Sequence, residues 1–72
     1  MEILIFKTDL GTEQEVNRIM PHINKVQGII RWNVDLQDCD KILRIVSNDD
    51  VSPRTIEQRL QRAGYYCAEL ED

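Results

Sequence analysis

A change of apolar period at Thr12 narrows the folding options for this chain more than any other feature. Before it, Ile3-Leu4-Ile5-Phe6 is an apolar run of strand length. After it, Val16, Ile19, Met20, Ile23 and Val26 recur at steps of three and four, which draws one apolar stripe along a helix. Thr12 and Glu15, three residues apart at the junction, read as a capping box. The Thr12 hydroxyl is expected to accept from the N–H of Glu15, and the Glu15 carboxylate to accept from the N–H of Thr12. A good N-cap contributes about 1 kcal/mol, so this strand-to-helix tip is organised for stability.

The remaining elements follow from similar signals. The first strand is expected over about residues 2 to 8, with apolar residues on both faces near its start, as in a central strand. The first helix is expected from Glu13 to Val26, with Glu13 and Glu15 favouring its positive end. Pro21 removes the N–H that would bond Asn17 and predicts a kink. Gly28 stands where a C-terminal cap is expected. From Ile30 to Leu36, Trp32, Val34 and Leu36 alternate with Arg31, Asn33 and Asp35, which marks a half-buried second strand. Gln37-Asp38-Cys39-Asp40 suits a hairpin connection to a third strand, Ile42 to Val46. Ser52 as N-cap and Pro53 at the first helical position open a second helix. Ile56, Leu60 and Ala63 face inward there, while Arg54, Glu57, Arg59 and Arg62 stay in water. Gly64 ends that helix, a fourth strand runs from Tyr65 to Leu70, and Glu71-Asp72 is expected to fray. Two right-handed crossovers joined by a hairpin make the split βαβ plan: an α+β domain spanning residues 1–72, its four-stranded antiparallel sheet covered on one face by two helices.

Charge and composition exclude several functions. The net charge of −4 opposes nucleic-acid binding, which needs a basic stripe against phosphates; exposed sheet aromatics for stacking bases are also scarce. The N-terminal residues lack the basic and apolar regions of a signal peptide, and no apolar run approaches the roughly 20 residues of a membrane span. With only Cys39 and Cys67 there is no disulfide framework. A cytoplasmic protein with free thiols is expected. No nucleophile–base pair, phosphate loop or set of spaced metal ligands points to an enzyme.

Gly28-Ile29-Ile30 followed by Trp32-Asn33-Val34-Asp35-Leu36 resembles the second strand of the heavy-metal-associated domain family. Val51-Ser52-Pro53 through Ile56, then Arg62-Ala63-Gly64-Tyr65, resembles that family's second helix and its Ala-Gly-Tyr turn. The family comprises copper chaperones and the cytoplasmic extensions of metal-pumping P-type ATPases, and the likeness runs from Glu2 to Leu70. It implies a ferredoxin-like βαββαβ fold and a link to metal homeostasis. In the family, the loop after the first strand carries Met-x-Cys-x-x-Cys, whose thiolates bind Cu(I) or Zn(II). Here Leu10 takes the Met position, and Thr12 and Glu15 take the two Cys positions. A hydroxyl and a carboxylate are hard donors, whereas thiophilic ions select sulfur. No metal or other cofactor is expected at this loop.

Other candidates are weaker. Cys39 and Cys67 are the remaining soft ligands, but they belong to opposite edges of the sheet, too far apart for a disulfide or a shared ion. The plainer reading is a buried Cys67 and an exposed Cys39. His22, alone and off the apolar stripe, is expected in solvent. Asp9, Glu13, Glu15, Asp38 and Asp40 gather at one end either as an acidic docking face or weak hard-cation site, or simply as solvated carboxylates. Arg18, Lys25, Arg54, Arg59 and Arg62 form the opposing basic set. Tyr65 is expected to pack on Leu10. The reading that follows is a binding module whose thiolate site is lost, acting on a protein partner of a metal-transport system through Asp9, Leu10, Gly11, Thr12, Glu13 and Tyr65. The alternative is a metal carrier that uses Cys39, Cys67 or a partner's thiolates.

Overall fold

Leu4, Phe6, Leu43 and Ile45 alternate along two neighbouring strands and share one buried face, as the period of two along a strand requires. The computed structural model describes residues 1–70. Its elements are β1 (Glu2–Thr8), α1 (Glu13–Asn24), β2 (Ile29–Asp35), β3 (Ile42–Ser47), α2 (Pro53–Arg62) and β4 (Cys67–Glu69). The sheet order is β2-β3-β1-β4, every pair antiparallel, with β1 central. Ile19 and Ile23 of α1 and Ile56 and Leu60 of α2 join the buried strand residues in a single core. Both helices therefore cover the same face, in the ferredoxin-like βαββαβ arrangement. No helix among the described residues is long and apolar enough to cross a membrane.

Several local expectations need correction. α1 continues through Pro21 but ends at Asn24, and Val26 N–H closes a tighter turn on the Ile23 carbonyl at 3.0 Å. Met20, assigned to the apolar stripe, is 41% exposed. Gly28 is not a helix cap. Its φ of +96° lies in the left-handed region, and a Cβ there would meet Asn48 Oδ1 at 2.6 Å and Val51 Cγ2 at 2.8 Å. The glycine is required because the loop after β3 crosses directly over it. A register shift between Ile29 and Arg31 turns Ile30 outward, as a bulge does. β2 also stops one residue short of Leu36, where the Asp35 carboxylate accepts from Gln37 N–H at 3.1 Å and starts the turn.

The Ser52 hydroxyl makes no cap bond, because Thr55 N–H, its natural target, already donates to the Ser52 carbonyl at 3.0 Å. Glu57 is half-buried instead of solvated, and its carboxylate accepts from Glu69 N–H at 2.9 Å. Arg59 is likewise half-buried, as is His22. Gly64 does end α2, with φ +96°, Gly64 N–H donating to the Gln61 carbonyl and Tyr65 N–H to the Leu60 carbonyl. That pair of bonds is a Schellman motif. β4 is shorter than expected for the same reason: Tyr65 N–H is taken by the helix end and Tyr66 N–H by Asp9. Neither is left to pair with β1. The expected fraying of Glu71-Asp72 lies outside the described residues.

Candidate functional site

The candidate site is the end of the molecule where β1 leaves the sheet. Thr8, its last residue, falls on the core face two positions beyond Phe6 and is buried. Its hydroxyl donates to the Lys41 carbonyl and accepts from Leu10 N–H at 3.3 Å. Its own N–H donates to the Asp40 carbonyl at 3.1 Å. Thr8 thus ties the β1–α1 loop to the β2–β3 hairpin. The sequence reading missed it, although the alternation Leu4, Phe6, Thr8 places a hydroxyl on an apolar face and was the available signal.

Leu10 follows with no exposed surface and sits in the core. It anchors the loop and cannot belong to an interaction surface, which corrects its inclusion there. Thr12 caps α1 from extended backbone, its hydroxyl accepting from Glu15 N–H at 3.2 Å. The return contact differs from expectation. The Glu15 carboxylate accepts from Gly11 N–H at 3.0 Å, and Thr12 contributes its hydroxyl, 3.4 Å away, rather than its N–H. Gly11 leaves the space for this, since a Cβ there would lie 3.3 Å from Glu15 Oε1. The two side chains stand close enough to touch one ion, but they are oxygen donors already engaged with backbone N–H groups. Such a pair does not fit a thiophilic metal.

Asp9 accepts from Tyr66 N–H at 2.9 Å and pins the turn after α2 to the loop. Tyr65 is half-buried against the core that contains Leu10, while Gly11, Thr12 and Glu13 are exposed. Across the hairpin, the ligand atoms of Asp38, Cys39 and Asp40 lie within 4.8 Å of one another. Asp9, Glu13 and Glu15 do not join that group. Its carboxylates also have partners: Asp38 accepts from Asp40 N–H at 2.8 Å, and Asp40 pairs with Lys7 Nζ at 3.4 Å. Lys41, at φ 49°, closes the hairpin by donating its ammonium to the Leu36 carbonyl at 2.7 Å.

Both cysteines are free thiols, Cys39 exposed and Cys67 buried opposite Thr8. Burial, with a smaller contribution from the negative charge of Glu57, pushes the Cys67 thiol up to about 12. It is protonated at neutral pH, and only the thiolate is a metal ligand.

No protein-family model and no curated protein matches the chain. Solved structures do. The yeast copper transporter domain Ccc2a, determined in apo and Cu(I)-loaded states, superposes with a TM-score of 0.85 at 15% identity, covering 100% of this chain and 99% of its own. A copper-binding domain from HMA7, a P-type ATPase, gives 0.83 at 18% identity, covering 99% and 96%. The N-terminal domain of ZntA in its Zn(II) form gives 0.78 at 16% identity, covering 96% and 92%. At these identities the likeness is one of fold, and it is the fold that the residues from Glu2 to Leu70 resemble.

Proposed function

We propose that this chain is a non-enzymatic cytoplasmic binding module, residues 1–72 acting as one unit, on the scaffold used by copper- and zinc-binding domains. It carries no thiolate pair of its own and works by contact with a protein of a metal-transport system. One observation carries the reading. Where the resemblance places two metal-binding cysteines, Thr12 and Glu15 hold the start of α1 through bonds of 3.2 and 3.0 Å to backbone N–H groups. Neither bond needs a metal to hold the loop. What it presents to a partner is Asp9, Gly11, Thr12 and Glu13 beside Tyr65, over the buried Leu10.

Anaerobic titration with Cu(I) against a competing chelator tests this on the wild-type chain and on Cys39→Ser and Cys67→Ser. Only weak binding, unchanged by either substitution, is expected. Sub-micromolar binding abolished by Cys39→Ser or by Cys67→Ser would overturn the reading and make the chain a metal carrier.

A further inference from the structure

The sheet face opposite the helices is uncovered, and strand register identifies what it presents. Arg31 stands opposite Val46, and Val46 opposite Ile3, in one row across three strands. The next row is Asn33, Arg44 and Ile5. Arg31, Asn33 and Arg44 are exposed, Val46 and Ile5 are half-buried, and Ile3 is 62% exposed. Ile3, Val46 and the two arginines line a shallow depression of about 380 Å³. Arginine is enriched at protein interfaces, and the exposed aliphatic surface beside it adds apolar area to bury.

The charges favour one class of occupant. Of the cations on this face, Lys7 is paired with Asp40 at 3.4 Å. Among the described residues, neither Arg31 nor Arg44 has a carboxylate within ion-pair distance. In a chain of net charge −4 they form a patch of opposite sign to the whole. Because Arg31 faces Val46 while Arg44 faces Asn33, the arginines occupy diagonal positions roughly 7–8 Å apart. Alternate side chains of an extended segment are separated by about 6.6 Å. Two carboxylates at that spacing can each reach one guanidinium, while an apolar side chain one step further along lies on Ile3 and Val46. A second copy docked symmetrically by this face would set arginine against arginine. The one aromatic lining that depression, Trp32, is packed against the core, a poor platform for stacking the bases of a single-stranded nucleic acid.

We infer that the open sheet face, centred on Arg31, Arg44, Val46 and Ile3, docks an extended acidic segment of a protein partner. This is a second contact surface, separate from the loop end. The probe is a synthetic peptide with glutamates two residues apart, flanked at the same spacing by isoleucine. Titrated into the isotopically labelled full chain, it should shift the amide resonances of residues 31–33 and 44–46, and bind more weakly as salt rises. Arg31→Glu/Arg44→Glu, both at exposed positions, should lower the affinity at least about tenfold with the melting temperature kept. Arg54→Glu/Arg62→Glu on α2 should leave it unchanged. Shifts confined to α2, equal binding of a glutamine version of the peptide, or affinity untouched by the Arg31/Arg44 reversal would each overturn the inference. So would displacement of the peptide by an oligouridine, or dimerisation lost on the reversal.

Discussion

Replacing Thr12 and Glu15 together by cysteine separates the two roles this loop can play. The substitution removes the Thr12 hydroxyl that accepts from Glu15 N–H at 3.2 Å and the carboxylate that accepts from Gly11 N–H at 3.0 Å. The first loss is worth about 1 kcal/mol. The second, with the first-turn charge, adds about another 1 kcal/mol, because Gly11 N–H is exposed and water takes the place of the carboxylate. A domain of this size has a total stability of roughly 4–10 kcal/mol, so the apo variant folds. Its melting temperature should fall by about 8–16 °C, at some 4–8 °C per kcal/mol. Two thiols at a helix N-terminus are acidified by the helix dipole and suited to a soft ion. With free Cu(I) a thousandfold above its dissociation constant, binding adds about 4 kcal/mol, more than the lost cap. The loaded variant should then melt above the apo wild type. Circular dichroism melts and chelator competition under anaerobic, reducing conditions read both effects. A folded variant that binds no Cu(I) would refute the placement of Thr12 and Glu15 at the metal-site positions. An apo variant melting with the wild type would refute the contribution assigned to the cap.

Other perturbations probe the support around that loop. Thr8→Val keeps the volume but strands the Lys41 carbonyl and Leu10 N–H; a loss of roughly 2–4 kcal/mol in urea denaturation is expected, with amide shifts in both loops. Gly28→Ala should destabilise more than Gly64→Ala, since both have φ +96° but only the first meets atoms closer than 3 Å. Left-handed strain alone is about 1–2 kcal/mol, and equal losses would contradict the contact argument. Ser47 is fully buried and its hydroxyl has no partner among the described residues, so Ser47→Ala should be neutral or stabilising by up to about 1 kcal/mol, and a clear loss would reveal a bonded hydroxyl. Cys67 should resist alkylation until the chain unfolds, while Cys39 reacts in the native state. Below pH 9.0 the Cys67 thiol is protonated whether folded or unfolded; above it the unfolded chain loses the proton that the folded one keeps to about 12. Stability should therefore fall across that window more steeply in the wild type than in Cys67→Ala.

The sequence by itself determined the order of elements, the central place of β1, the capped start of α1 at Thr12, and Gly64 as the end of α2. Each of these depends on neighbours within a turn or a strand, and periodicity, caps and glycine punctuation report on that range. Tertiary structure decided what joins distant parts of the chain. Thr8 and Lys41 are 33 residues apart, and Asp9 and Tyr66 are 57 apart; no local pattern says that their polar groups satisfy one another, although that second bond is what shortens β4. Gly28 looked like a helix cap because the loop that crosses it lies twenty residues away, at Asn48. The arginine pair on the open face was equally hidden. Arg31 was legible only as a residue on the wet side of β2 and Arg44 carried no signal of its own; the register of β2 on β3 sets the two on one diagonal.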